Sequence, residues 1–309
     1  MFNRTRFDVS DGIPGTYEER VALLKKKINE ADAILVGAGA GLSTSAGFIY
    51  NGERFDDYFG DFKKTYGITD MYSGGFYPFP DDETFWGWWS RAIYVNRYLD
   101  APKPVYEELL DLLKDKDYFV LTTNVDHMFQ KAGIDKNRLY YMQGDYGLFQ
   151  SVEPEINKTY DNEEIIYKML ESQGFVKNSE GIYVPTGHES MRISTDLIPY
   201  CPDDGKKMTT NLRIDDSFVQ DEGWYAAQNR YASFLDKHQK DHILYLELGV
   251  GMNTPVIIKY PFLKAVLKNK KAFYANLNYS EAFTIQGIEK RSLCINNDIG
   301  ETLTSLKNA

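Results

Sequence analysis

The chain has 309 residues, 45 of them acidic and 35 basic, for a formal net charge of −10 and a pI of about 5.0. This acidic balance argues against a duplex nucleic-acid partner, because the phosphate backbone favours a basic protein face. No apolar run approaches the roughly 20 residues of a membrane helix, and no signal-peptide pattern opens the chain, so we expect a cytoplasmic protein. The two cysteines, Cys201 and Cys294, are far apart and predict neither a disulfide framework nor a metal cage.

The first hundred residues contain a predicted strand and an aromatic insertion. Residues 1–15 look loose, residues 18–29 have helical periodicity, and the apolar run 33–37 predicts the first strand. Residues 50–100 are rich in Tyr, Phe and Trp and predict a helical insertion packed by aromatic side chains. A stacking surface for a nucleotide is the alternative for the densest run, Phe85-Trp86-Gly87-Trp88-Trp89.

The rest of the chain alternates strands with helices. Further elements are predicted in this order: a helix at 104–113, then strands at 118–122, 140–142, 242–249 and 272–277. The polar segment 151–207 looks like an inserted surface module rather than sheet. This alternation predicts an α/β fold with a Rossmann-like, doubly wound parallel sheet. We assign residues 20–145 and 216–309 to that discontinuous domain and residues 146–215 to the smaller inserted module.

Ligands of such sheets bind at the carboxyl ends of the strands, so the residues that follow each strand are the candidate site. They are Gly39-Ala40-Gly41-Leu42-Ser43, Thr122-Thr123-Asn124-Val125-Asp126, Gln143-Gly144-Asp145, Gly249-Val250-Gly251-Met252-Asn253 and Asn276-Leu277-Asn278. In the first of these, glycines let the backbone approach a diphosphate while the following helix start presents free N–H groups. The alternative for that glycine pattern alone is a tight turn.

The strand-end segments together resemble the sirtuins. The turn at 39–43, continued by Gly47, resembles their Gly-Ala-Gly-x-Ser fingerprint, and the segment 122–126 resembles their Thr-Gln-Asn-Ile-Asp loop. The order and spacing agree from about residue 30 to residue 305. The resemblance implies a sirtuin fold, NAD as the cofactor, and catalytic roles for Asn124, Asp126 and Gln143. It assigns NAD binding to Gly39, Ala40, Gly41, Ser43, Gly47, Arg54, Phe55, Thr123, Asn124, Asp126, Gln143, Gly249, Gly251, Asn276 and Asn278.

Two departures from the deacylase pattern are informative. The family's His-Gly pair is replaced by Gln143-Gly144, and an amide cannot take up a proton near neutral pH as imidazole does. The zinc ribbon is degenerate, since Ser151, Glu155 and Cys201-Pro202-Asp203-Asp204 stand where four cysteines are needed. We therefore expect no bound metal.

The Gln at the base position resembles the macrodomain-linked class M sirtuins, as do the runs Asn-Leu-Arg-Ile-Asp-Asp at 211–216 and Asp-Glu-Gly-Trp at 221–224. That resemblance implies protein mono-ADP-ribosylation, directed at a lipoyl-carrying glycine-cleavage H-like protein, reversed by a partner macrodomain and linked to oxidative stress. Attack by an acceptor carboxylate needs no base, because an Asp with a pKa near 3.9 is already ionised. Loss of the histidine is therefore compatible with transferase activity.

Several of the predicted functional roles have a purely structural alternative. Asn124 is expected to order the nucleophile and Asp126 to hold the nicotinamide carboxamide, but both residues also suit a helix cap. Arg192 and Arg213 could steer an acidic acceptor, with solvated surface charge as the alternative. His127 is a candidate replacement base that we rank below a structural role.

Three function classes follow from the resemblance and its departures. The first is an NAD-dependent protein ADP-ribosyltransferase. The second is an NAD-dependent deacylase or NAD glycohydrolase, and the third is a non-catalytic module that binds NAD or ADP-ribose. A neighbouring gene for a macrodomain or a lipoate carrier would favour the first.

Overall fold

A computed structural model describes residues 9–252 and 255–309. Asn253, which the sequence places after a strand, lies outside the described residues, as do residues 1–8 of the N-terminal segment. The strands are β1 Val9–Ser10, β2 Ala33–Ala38, β3 Tyr118–Thr122, β4 Leu139–Tyr141, β5 Gly144–Ser151, β6 Tyr160–Asp161, β7 Val176–Lys177, β8 Tyr183–Val184, β9 Met208–Leu212, β10 Ile243–Leu248, β11 Phe273–Asn278, β12 Thr284–Ile285 and β13 Ser292–Asn296.

The helices alternate with the strands of the large sheet and cluster in the insertions. The α-helices are α1 Tyr17–Glu30, α2 Ala40–Ser45, α3 Glu53–Tyr66, α4 Met71–Gly74, α5 Asp82–Ile93, α6 Val105–Leu113, α7 Met128–Lys131, α8 Glu163–Gln173, α9 Glu222–His238, α10 Lys259–Lys268 and α11 Ile299–Asn308. Helix α5 continues as a π-helical turn at Tyr94–Tyr98. Short 3-10 turns occupy Lys136–Arg138, Thr195–Leu197 and Glu289–Arg291.

Six parallel strands form the central sheet in the order β13-β11-β10-β2-β3-β4. The chain runs outward from β2 through β3 to β4 and then returns to add β10, β11 and β13 on the other side. The predicted doubly wound parallel sheet is therefore confirmed, and its switch point lies between β2 and β10. Strand β13 and helix α11 complete the sheet domain and were not predicted.

Helices cover both faces of this sheet, as its uninterrupted apolar strands require. Helices α1, α6 and α11 pack on one face around Ile34, Val36 and Val120. Helices α9 and α10 pack on the other around Leu35 and Phe119. The six residues of β2 are all buried, which makes it the central strand of the domain.

The aromatic insertion and the later module share a second apolar core. Trp86, Trp88 and Trp89 are buried in it, so the tryptophan run is core rather than a stacking surface. The segment 151–207 contributes the buried face of α8 and two short strand pairings, because β6 joins the antiparallel sheet β6-β5-β9 and β7 pairs with β8. The prediction that this segment holds no sheet was therefore wrong, since its strands are too short to show a period.

The N-terminal segment is partly ordered against the sheet domain. Val9 and Ser10 pair antiparallel with β12, and Gly12 forms a bridge with Leu293. This corrects the prediction of a loose segment for residues 9–15, because a two-residue strand leaves no recognisable pattern. Within residues 9–252 and 255–309, no helix is long and apolar enough to cross a membrane.

Candidate active site

A cleft of about 460 Å³ opens where β2 and β3 end. It lies between the central sheet and the first turns of the aromatic insertion. Its lining residues are Ala40, Ser43, Thr44, Phe48, Ile49, Tyr50, Asn51, Asp70, Tyr72, Thr123, Asn124, Val125 and Asp126. A larger depression of about 570 Å³ lies at the opposite edge of the sheet, where Ile243 and Phe273 begin their strands, and holds none of these groups. The strand-end cleft is therefore the candidate active site.

Three glycines bring the loops of β2 and β10 into backbone contact beside the cleft. The N–H of Gly39 donates to the Leu248 carbonyl at 3.0 Å, and the N–H of Gly41 donates to the Gly249 carbonyl at 2.9 Å. A Cβ on Gly41 would lie 2.7 Å from the Gly249 Cα, and Gly249 itself has φ +63°. Any larger residue would separate the two loops at the switch point, where doubly wound folds bind dinucleotides.

Asp126 lies at the centre of the polar network in the cleft. Its Oδ2 accepts a hydrogen bond from the Ser43 hydroxyl at 2.5 Å and another from the Tyr106 hydroxyl at 3.3 Å. The amide of Asn124 donates to the Gly39 carbonyl at 3.1 Å and to the Tyr106 oxygen at 3.4 Å. The structure therefore brings Ser43, Asn124 and Asp126 together as predicted neighbours, and adds Tyr106 to them.

Sequence reasoning missed Tyr106. It occupies the apolar face of α6, where its hydroxyl is indistinguishable in sequence from an ordinary core tyrosine. Burial, reinforced by the negative charge of Asp126, raises the pKa of Tyr106 well above its usual value. The phenol therefore remains a neutral hydrogen-bond donor at physiological pH.

Two carboxyl groups near the cleft have pKa values shifted in opposite directions. Burial raises the pKa of Asp126, although Ser43 and the N–H of Met128 oppose the shift by hydrogen bonding. Burial also acts to raise the pKa of Asp145. The hydrogen bond from His127 and the positive charge of Arg97 have the larger effect, so the pKa of Asp145 is lowered overall. Two carboxyl groups whose surroundings shift their pKa values in opposite directions are typical of active sites in which each has a different role.

His127 and Asp145 form a hydrogen-bonded pair that joins the loop after β3 to the start of β5. The Nδ1 of His127 contacts the Asp145 Oδ2. The Oδ1 of Asp145 accepts from Arg97 Nε at 2.8 Å and from the Gly147 N–H at 2.7 Å. Among the described residues, His127 is the one non-glycine with positive φ, at 67°, a conformation that the surrounding contacts must maintain.

Gln143 precedes this pair and lies at the end of β4. Its carbonyl accepts the N–H of Arg213 at 3.0 Å, so the two predicted residues are brought side by side. The Gln143 side chain is half-buried, and Gln143 is not among the residues that line the 460 Å³ cleft. The Arg213 guanidinium lies 5.9 Å from the Phe218 ring.

Arg54 and Phe55 lie differently relative to the cleft, because the Arg54 guanidinium is 4.8 Å from the ring of the lining residue Phe48, whereas Phe55 is buried in the core of the insertion. Phe55 is fully buried and stacks on Phe59 at 5.4 Å between ring centroids. Arg54 donates to Asn96 Oδ1 at 2.9 Å and to the Val95 carbonyl, and burial lowers its pKa to about 10. The assignment of Phe55 to the cofactor stays a prediction, and in this structure its ring packs in the apolar core of the insertion.

Four further predicted residues lie outside the cleft lining. Asn276 is fully buried and its amide donates to the Phe283 carbonyl at 3.0 Å, while its assignment to the cofactor stays a prediction. Asn278, two residues on, donates to the Val250 carbonyl at 3.3 Å and borders the Gly249 loop. Gly47 has φ +100° and packs against Pro102, and a Cβ at Gly251 would meet open space. Gly47 is therefore needed for a turn, whereas Gly251 is exposed.

Arg192 is distant from this network and pairs with Asp81 at the surface of the insertion. It therefore gives no support to acceptor steering at the cleft.

Ion pairs at the surface link residues of the segment where the resemblance places a zinc ribbon. Lys206 lies 2.7 Å from a Glu155 oxygen, Lys158 lies 2.7 Å from an Asp203 oxygen, and the Tyr160 hydroxyl lies 3.4 Å from the Cys201 sulfur. Within the part of the chain that the structure describes, no group of three or more His, Cys, Asp or Glu side chains is arranged to hold a metal ion.

Comparison with known proteins gives two curated relatives and many solved neighbours. No family model matches the chain. A protein ADP-ribosyltransferase of Staphylococcus aureus is 35% identical over 289 residues, which cover 93% of this chain and 87% of that protein. A probable bifunctional ADP-ribose hydrolase/ADP-ribosyltransferase of Fusarium oxysporum f. sp. cubense is 29% identical, and the chain spans 49% of its length.

The solved neighbours are sirtuins. Sir2Tm bound to a propionylated peptide has a TM-score of 0.59 at 18% identity, with 93% of this chain and 97% of that chain covered. A Sir2 complex with a p53 peptide and NAD+ has a TM-score of 0.57 at 17% identity, with 93% of this chain and 96% of that chain covered. At 17–18% sequence identity, this structural similarity establishes the fold alone.

Proposed function

Because the chain belongs to the sirtuin-type protein ADP-ribosyltransferases, we propose that it transfers ADP-ribose from NAD to a protein acceptor and releases nicotinamide. The observation that carries this proposal is the network of Ser43, Asn124 and Asp126 at the strand-end cleft, with an amide at Gln143 where deacylases have a histidine. This network supports NAD binding, and an amide stands at Gln143 where deacylases use a proton acceptor.

The residues present fit NAD. A Cβ on Gly39 or Gly41 would meet the Gly249 backbone, and the cleft beside this turn offers the buried amide of Asn124, the buried carboxyl of Asp126 and the half-buried hydroxyl of Ser43. When bound, NAD supplies the ADP-ribosyl group and the nicotinamide leaving group. Ser43, Thr123, Asn124 and Asp126 would hold its ribose and nicotinamide half. Its phosphates would lie beside the glycine turn, where the N–H groups of Gly39 and Gly41 already donate to the carbonyls of Leu248 and Gly249.

The acceptor chemistry follows from the protonation states in the site. An acceptor carboxylate is ionised at neutral pH and needs no base, whereas an acyl-lysine pathway needs one to activate a ribose hydroxyl. The Gln143 amide can donate to an oxygen of the acceptor or of the ribose, and Arg213 beside it adds positive charge on the acceptor side. We therefore propose a carboxylate as the acceptor group.

We propose that the acceptor is a lipoyl-carrying, glycine-cleavage H-like protein and that a macrodomain protein reverses the modification. The Fusarium relative supports the second part, since its name pairs an ADP-ribose hydrolase with an ADP-ribosyltransferase and this chain spans about half of it. A fusion of that kind joins the forward and reverse activities in one polypeptide. The lipoyl carrier rests on the sequence resemblance.

Incubation of the protein with labelled NAD and two lysates tests the proposal. One lysate contains lipoylated proteins and the other comes from cells grown without lipoate. We expect label on a protein in the first lysate, its loss with Asn124→Ala, and its release by a macrodomain hydrolase. Free labelled ADP-ribose without labelled protein would instead identify an NAD glycohydrolase, and label in both lysates would exclude a lipoyl-dependent acceptor.

A further inference from the structure

A fully buried ion pair lies in the sheet close to the switch point. Lys259 Nζ donates to Glu247 Oε1, and both side chains have 0% exposure. The Tyr274 hydroxyl donates to the other carboxylate oxygen, Oε2, at 2.8 Å. The Lys259 ammonium also lies 4.7 Å from the centroid of the Phe283 ring. Both charges therefore have partners, and the group is sealed from water.

Stability alone does not account for this pair. Taking two charges out of water is unfavourable, and well-packed apolar side chains of similar volume often replace such pairs without loss of stability. Burial acts to raise the pKa of Glu247, although Lys259 and Tyr274 oppose the shift. A buried ion pair does, however, fix the two elements that carry it in one relative position, because breaking its geometry leaves uncompensated charge.

The two elements that this pair joins bracket the loop at the switch point. Glu247 is the penultimate residue of β10, two positions before Gly249, and Lys259 is the first residue of α10. A Cβ on Gly249 would lie 2.5 Å from the Gly41 Cα, so any movement of that residue reaches the glycine turn directly. At the other end, the side chain of Ile258 packs over Gly37 of β2.

We propose that Glu247 and Lys259 are positioning residues that hold the backbone of residues 249–251 against the glycine turn at 39–41, in the geometry that binds the phosphates of NAD. This inference rests on the proposed function. Asn276, which pairs with Glu247 in the register of β10 and β11, belongs to the same buried polar group. Its Oδ1 has no hydrogen-bond partner among the described residues.

The test compares single and double substitutions. Glu247→Leu and Lys259→Met each leave one buried charge unpaired, so each lowers the melting temperature of the apo protein. The double variant Glu247→Leu/Lys259→Met removes both charges and should recover most of that loss. We expect its dissociation constant for NAD, measured by calorimetry, to rise by about tenfold, with kcat at saturating NAD within about twofold of wild type. If the pair were only structural, the melting temperature and the affinity for NAD would both recover in the double variant.

An ion pair in the insertion, between a buried arginine and a partly exposed aspartate, provides the control. Arg91 pairs with Asp61 at 2.7 Å in the core of the insertion, away from the glycine loops. Arg91→Met should lower the melting temperature while leaving the dissociation constant for NAD within about twofold. A similar loss of affinity in this control would show that general destabilisation, not positioning, weakens binding.

Milder variants keep the proposal falsifiable if the double variant does not fold. Tyr274→Phe removes one hydrogen bond to Glu247, and Lys259→Arg keeps the charge but changes its geometry, so both should weaken NAD binding by about threefold. Wild-type affinity in the double variant, or in both milder variants, would overturn the proposal. Absence of NAD binding by the wild-type protein would instead overturn the proposed function.

Discussion

Ser43 and Asp126 join the glycine turn after β2 to the loop after β3 through a hydrogen bond of 2.5 Å. The other oxygen of Asp126 accepts the N–H of Met128 at 3.0 Å. One carboxyl group thus caps the turn that follows it and also ties together the two loops that line the cleft. The bond to Met128 is local to the turn before α7, whose N-cap residue is His127 and has no side-chain cap, and the role of Asp126 toward NAD stays a prediction.

This bond predicts a loss of NAD binding when either partner is removed. Ser43→Ala and Asp126→Ala should reduce the rise in melting temperature that millimolar NAD or ADP-ribose causes in the wild-type protein, because ligand stabilisation depends on concentration over dissociation constant. Ser45→Ala is the matched control, since that hydroxyl bonds Asp298 at 2.9 Å and not Asp126. An unchanged wild-type melting temperature at millimolar NAD would remove the basis of the NAD assignment.

Asn124→Ala should abolish ADP-ribose transfer. The amide belongs to the cleft network and is buried, and the proposed function places it at the bond that breaks. Single-turnover transfer from labelled NAD measures the effect, and the NAD-induced thermal shift checks that the cofactor still binds. Transfer at more than about a tenth of the wild-type rate would contradict a role at the reacting bond.

Gln143→Ala should slow transfer by about 1–3 kcal/mol of barrier, the scale of a hydrogen bond lost to a developing charge. Gln143→His should not accelerate transfer, since a carboxylate acceptor has no proton to give up, and wild type should not deacylate acetyl-lysine. The pH–rate profile of transfer should show no step near the ordinary pKa of histidine. A step near 6.5 that disappears in His127→Ala would make His127, held by Asp145, the base.

The lowered pKa of Asp145 predicts a pH-dependent contribution to stability. Because this pKa is lower in the folded state than the unfolded value near 3.9, the stabilisation is complete above the unfolded value and is lost as pH falls through the folded one. Asp145→Asn should cost about 3–5 kcal/mol at pH 7, because it leaves Arg97 and His127 without their buried partner. Urea unfolding at several pH values should show this difference shrinking below about pH 4; a constant difference would contradict the assignment.

The degenerate ribbon predicts a fold independent of zinc. Lysines already neutralise the carboxylates at this position, with Lys206 on Glu155 and Lys158 on Asp203. Elemental analysis should find less than one zinc per chain, and chelator should leave the melting temperature unchanged. One tightly held zinc per chain would mean that the ligands lie elsewhere.

Local pattern was enough for the parallel sheet and for part of the site. Buried strands appear as apolar runs, and glycines at 39 and 41 mark a close backbone approach, so the strand-end residues Asn124 and Asp126 could be named from sequence. The strands and the glycine turn are formed by residues that are neighbours along the chain. The strand-end residues come together because adjacent parallel strands end at the same edge of the sheet.

The partners of those residues depended on the tertiary structure. Tyr106 reaches Asp126 from a helix whose periodicity shows a buried face but not which polar group that face meets. The burial of Phe55 and Asn276, and the pairing of Glu247 with Lys259, likewise arise from contacts between segments whose relative packing no local pattern encodes. Strand and turn signals are short-range, whereas burial, pKa shifts and hydrogen-bond partners are decided by which distant segments pack together.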